Sequence, residues 1–91
     1  MTRIECYDIS NIQGKNATGS MVVFINGEIE SSLYRHFKIR TKNTPNDVAM
    51  MQEVLARRLH RVEWPYPGLF IVDGGKGQVS GALSVLNEKG I

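Results

Sequence analysis

The sequence predicts an α/β domain built on a mixed sheet, in the order β-β-β-α-β-α, and three observations carry that reading. Apolar runs of strand length occur at Arg3 to Ile9, Ser20 to Ile25 and Leu69 to Val72. Two longer stretches repeat apolar residues at helical spacing. The dipeptide Asn26-Gly27 marks a hairpin between the second strand and the third, because both residues tolerate positive φ.

Each element has its own signature. Arg3 to Ile9 alternates, placing Ile4, Cys6 and Asp8 on one face. Met21 to Ile25 is continuously apolar, which predicts a central strand buried on both faces. The return strand, roughly Ile29 to Ile39, sets Leu33, Arg35, Phe37 and Ile39 against Tyr34, His36 and Lys38, a mixed pattern suited to a sheet edge. Thr44-Pro45 opens the first helix as N-cap and first-turn proline, with Asp47 in that turn. Val48, Met51, Leu55, Leu59 and Val62 form its apolar stripe, and Trp64-Pro65-Tyr66-Pro67-Gly68 ends it. After Leu69 to Val72, the turn Asp73-Gly74-Gly75-Lys76-Gly77 leads into a second helix. Its apolar face is Val79, Ala82, Leu83 and Leu86, and it closes at Gly90. The first three strands make an antiparallel meander, and the fourth returns through a helix to lie parallel to the first.

Ninety-one residues make one domain, residues 1–91, and 42% apolar residues are enough for a core. A net charge of +2 does not by itself announce a nucleic-acid binder. Two cationic clusters stand out, Arg35-His36-Lys38-Arg40-Lys42 and Arg57-Arg58-His60-Arg61. Arg57 and Arg58 are candidate phosphate contacts, against the plainer reading of a solvated face. The single cysteine, Cys6, excludes an internal disulfide and a cysteine-rich zinc site. Neither a secretory signal nor a long apolar span occurs, so a cytoplasmic protein without a membrane partner is expected.

The chemistry candidates are carboxylates. If strands one and four are parallel neighbours, Asp8 and Asp73 both fall at their carboxyl ends, where open α/β sheets place their sites. Paired hard oxygen ligands suit Mg²⁺ or Mn²⁺. The structural alternatives stay open: Asp73 as a helix N-cap, Asp8 in a turn leaving its strand, Asp47 as a first-turn capping residue. Gly75, Lys76 and Gly77 resemble a phosphate cradle at a helix start. Their spacing matches neither the Walker loop nor the dinucleotide fingerprint. His36 and His60 fit no metal cluster, and His60 belongs to the solvated side of its helix.

Taken together, several segments are identified with one family. They are Glu5-Cys6-Tyr7-Asp8-Ile9-Ser10-Asn11 with Gln13-Gly14, then Ser20 to Phe24, Tyr34 to Ile39, Asn46 to Met51, and Val72 to Gln78. In order and spacing they resemble the carboxy-terminal endonuclease domain of UvrC, over essentially all 91 residues. The resemblance implies a ribonuclease-H-like fold that cuts damaged double-stranded DNA on the 5′ side of a lesion with a divalent metal. Its partners would be UvrB and UvrA. By position, Asp8 and Asp73 match the family's catalytic, metal-holding aspartates, Asp47 a further acidic site position, and Lys76 the lysine of the glycine-rich turn. The family pattern continues beyond these residues, with a fifth strand and a histidine that completes the site; neither His36 nor His60 matches that histidine. This chain alone is therefore expected to cut DNA poorly, or to serve as a catalytically incomplete interaction module. An exposed strand edge along Leu69 to Val72 is expected to invite self-association.

Overall fold

The computed structural model describes residues 2–10, 17–40 and 47–91, with Asp47 described by its backbone alone. Strand β1 (Arg3–Ser10) runs antiparallel to β2 (Thr18–Ile25) and parallel to β5 (Leu69–Asp73). On its other side β2 pairs first with β3 (Glu28–Ile29) and then with β4 (Arg35–Lys38). Helices α1 (Asp47–His60) and α2 (Lys76–Glu88) complete the chain. This is the mixed α/β architecture expected of a ribonuclease-H-like domain. The predicted Thr44-Pro45 helix start lies outside the described residues.

The hairpin forms at Asn26-Gly27, whose φ angles of 51° and 86° are the ones those residues accept most easily. The long third strand is interrupted. A 3-10 turn at Ser31–Leu33 divides it into β3 and β4, held by Ser32 Oγ donating to Glu30 Oε2 at 2.8 Å and Arg35 Nη1 donating to Ser32 O at 3.0 Å. Serine side chains that bond locally offer the backbone an alternative to the ladder. The turn shifts the register by three residues. Continuing the Phe24↔Ile29 pairing would set Met21 opposite Ser32, yet Met21 faces Arg35.

Both helices lie on one face of the sheet. Tyr7, Met21, Val23 and Phe37 pack there against Met51, Val54 and Leu55 of α1. Gly19 admits Val54, since a Cβ would stand 2.5 Å from Val54 Cγ2, and Gly81 lets α2 approach α1 within reach of the Val48 carbonyl. Consequently β2 is fully buried on one face only, and its other face is half-covered. The second helix buries Gly81, Ala82 and Val85 and exposes Val79 and Leu83, so its stripe is rotated from the predicted one. Val62 lies beyond the end of α1 and is exposed.

The phase of β1 carries the largest surprise. Its helix-covered side is Arg3, Glu5 and Tyr7, while Ile4 and Cys6 look toward the uncovered face with Asp8. Glu5 is fully buried and accepts from Arg58 Nε (2.6 Å), Arg58 Nη2 (2.8 Å), Arg3 Nε (2.8 Å) and the Tyr7 hydroxyl (2.5 Å). Burial by itself would push the Glu5 carboxyl up, but the bonds from Arg58, Tyr7 and Arg3 outweigh it and hold it below its ordinary value. Burial, with the bond to Glu5, pushes the Tyr7 phenol up. Arg58 is fully buried and also donates to the Pro65 carbonyl at 2.7 Å. It is a core residue, not the surface phosphate contact expected of it. Outside it, Trp64 lies 5.2–5.5 Å from the guanidinium carbons of Arg35, Arg58 and Arg61.

Candidate functional site

The uncovered face of the sheet is apolar along most of its length and acidic at one end. Ile4, Cys6, Val22, Leu69 and Ile71 lead to Asp8 and Asp73 at the carboxyl ends of β1 and β5. The parallel register pairs Asp8 directly with Asp73, so the two side chains rise from adjacent strands on the same face. The Cys6 thiol senses this: burial first, and then the Asp73 charge, pushes it up.

Both aspartates are exposed. Among the described residues no salt bridge and no side-chain hydrogen bond reaches either one. Two carboxylates about 5 Å apart repel by roughly 1 kcal/mol even at the dielectric of water. Among the described residues no cation is paired with either carboxylate to offset that repulsion. Two oxygen-donor side chains, with the remaining positions left to water and phosphate, are a donor set that suits Mg²⁺. No third His, Cys, Asp or Glu joins them among the described residues.

The N-cap of α2 is Gly75, and Gln78 reaches back to accept from the Gly75 N–H at 2.9 Å. Asp73 therefore does not cap the helix, which removes its structural alternative. The same bond occupies one N–H of the expected phosphate cradle. Lys76, the first residue of α2, is exposed three residues beyond Asp73, and Gly77 is half-buried behind it. Asp47 is the first residue of α1, and its side chain lies outside the described set. Asp8 is inside β1, two residues before the strand's end, and is paired in the ladder rather than placed in a turn.

Arg57 sits on the helix-covered side of the sheet. It donates to the Lys38 carbonyl (2.6 Å) and Glu53 (3.2 Å) and lines a basic cleft of about 550 Å³ with Arg35, His36, His60, Arg61 and Trp64. The structure thus unites Asp8 and Asp73, puts Lys76 next to them, and assigns Arg57 and Arg58 to the opposite side.

One alignment escaped sequence reading. Asp73 pairs with Asp8, Asp8 with Ser20, and Ser20 with His36, so these four residues form a single row across the open face. The alternation of Tyr34, His36 and Lys38 shows that they share a face, but their alignment with the aspartates depends on the three-residue shift at Ser31–Leu33.

The comparisons with known proteins give the family. The UvrC RNase H endonuclease domain model matches residues 1–91. UvrABC system protein C of Desulfotalea psychrophila is 53% identical over 90 residues, 97% of this chain and 15% of the relative. Its counterpart in Dictyoglomus thermophilum is 53% identical over 87 residues, 93% of this chain and 14% of the relative. That of Fusobacterium nucleatum is 48% identical over 89 residues, with 97% and 15% covered. The chain spans about 15% of the length of these relatives.

Proposed function

The chain belongs to the UvrC RNase H endonuclease domain family, and from that premise we propose that it is the metal-dependent nuclease domain making the 5′ incision in nucleotide excision repair. The observation that carries this reading is the Asp8↔Asp73 register, two exposed carboxylates side by side with no ion pair among the described residues. A Mg²⁺ or Mn²⁺ ion held there supplies charge neutralisation at a phosphate and acidifies bound water. Asp8 and Asp73 hold the ion and fix its position relative to the sheet, and Asp47 contributes a third carboxylate from the start of α1. Lys76 and the Gly75–Gly77 turn hold a neighbouring phosphate. On this reading the substrate is damaged double-stranded DNA, the partners of the full-length protein are UvrA and UvrB, and the compartment is the cytoplasm. Among the described residues no helix is long and apolar enough to cross a membrane.

The test is Mn²⁺ binding by calorimetry. Wild type should bind one or more ions, and Asp8→Asn should lose at least roughly 10-fold in affinity, as removal of a ligand demands. Unchanged binding in Asp8→Asn and Asp73→Asn would refute the reading. A second reading, a catalytically incomplete module of the same family, is favoured by the absence of a third ligand among the described residues. Metal-dependent cleavage of supercoiled plasmid by this chain would exclude that alternative.

A further inference from the structure

Resting on the metal-site reading, we infer that Ser20, Tyr34, His36 and Lys38 form a holding track for the phosphates of the strand being cut. The track leads across the open face from the aspartates to the β4 edge. Its geometry follows from register. Ser20 is one strand from Asp8, and His36 is two strands away in the same row. Lys38 pairs with Thr18, which pairs with Ser10, so Lys38 stands in the next row outward on the same face. With strands about 4.8 Å apart, His36 lies about 10 Å from Asp8. That distance is the axial advance of roughly three nucleotides in a B-form strand.

The hydrogen bonding of the cluster leaves a donor for such a ligand. The Tyr34 hydroxyl is 3.3 Å from Ser20 Oγ and 2.7 Å from His36 Nε2. A phenol has one proton, so it can donate to only one of them. Among the described residues, if it donates to Ser20 the Ser20 O–H proton has no acceptor, and if it donates to His36 the proton on Nδ1 has none. In either arrangement one donor is unspent. Lys38 adds a cation with no ion pair among the described residues. The face thus runs from a paired negative end at β5 and β1, through hydroxyls at β2, to cationic and donor groups at β4. A polyanion bridging a bound cation and Lys38 would satisfy both ends. The competing position for a nucleic-acid strand is the basic cleft around Trp64 on the other side of the sheet, lined by His60 and bordered by His36 as well.

The chain has only two histidines; His36 borders both paths and His60 the cleft alone, so the His60 imidazole NMR signals tell the two paths apart. Titration with a short single-stranded oligodeoxynucleotide should shift the His36 signals and leave those of His60 in place. Lys38→Ala should reduce the salt slope of oligonucleotide binding by about 0.7, the value for one phosphate contact on a single strand. Tyr34→Phe with His36→Ala should weaken binding about 10-fold, roughly what loss of two contacts near 0.7 kcal/mol each gives. Mn²⁺ affinity should be unchanged in both variants. A shift of the His60 signals, no shift at saturating oligonucleotide, or unaltered oligonucleotide binding in the variants would each overturn the track. Failure of the metal site itself would register separately, as Mn²⁺ binding insensitive to Asp8→Asn.

Discussion

Glu5 and Asp8 lie three residues apart on one strand, on opposite faces of the sheet, and receive opposite treatment. Glu5, beneath the helices, is enclosed by two arginines and a tyrosine that fully satisfy its charge. Asp8, on the uncovered face, stands beside a second carboxylate and receives no bond from the described residues. A buried charge without partners is excluded on energetic grounds, so the covered face had to supply its own cations. An exposed pair costs little and can wait for a cation from solution. The contrast separates charge that holds the fold together from charge available for chemistry.

The covered side should yield the largest effect. Removing one partner of a buried ion pair costs about 3–5 kcal/mol, because the other charge is left without compensation. Glu5→Gln and Arg58→Met should each lose that much in urea denaturation, a large part of a small domain's total stability. A double substitution to apolar residues of matching volume should recover much of it, and equal losses in single and double variants would contradict the pairing. The pH dependence has a definite sign. The folded Glu5 carboxyl is held below its ordinary value of 4.5, so its contribution is complete above that pH. It is lost as pH falls through the lowered folded value, and Glu5→Gln should flatten this acid limb.

On the open side the signs reverse. Asp8→Asn should leave the metal-free chain unchanged or stabilise it by up to about 1 kcal/mol by relieving repulsion, while cancelling the melting-temperature rise produced by Mn²⁺. A destabilisation of several kcal/mol would mean that Asp8 is structural after all. Asp47→Asn should have a smaller effect. If Asp47 shares the site, Mn²⁺ affinity falls several-fold; if it only caps α1, stability drops by about 1 kcal/mol and metal binding is untouched.

This contrast also explains what the sequence could and could not convey. The hairpin was legible in Asn26-Gly27, whose chemistry is local, and the Asp8–Asp73 pairing in two strands with one acidic residue at each end. Which face of β1 is covered was not. Ile4 and Cys6 look like the inner side and Arg3 and Glu5 like the outer one until Arg58 arrives from 53 residues away. A buried salt bridge reads in sequence as three solvated charges. The shift at Ser31–Leu33 was equally hidden, since only the β2–β4 pairing reveals that His36 rather than Leu33 stands opposite Ser20. The α2 stripe was misphased because Gly81, which has no apolar side chain to signal, is its point of closest approach to α1.

The smallest expected effect concerns β5, the edge strand on the open side. Among the described residues it pairs only with β1, so its outer backbone groups are free to pair with another chain. Leu69 and Ile71 are 51% and 42% exposed on the same face, which adds an apolar margin to that edge. A five-residue strand can bury only a small area on pairing, well under the roughly 1,000 Å² of a stable interface. Association should therefore be weak, with Kd on the order of 0.1–1 mM, or about 4–5.5 kcal/mol. Sedimentation equilibrium over that concentration range should show the monomer giving way to dimer. Ile71→Lys puts a charge on the edge and should shift the midpoint to higher concentration by roughly 10-fold. A chain that stays monomeric at 1 mM, or a dimer that Ile71→Lys leaves intact, would show that the edge is not the contact. The open face would then lose its only apolar feature with a proposed use, and the contrast between the two faces would rest on charge alone.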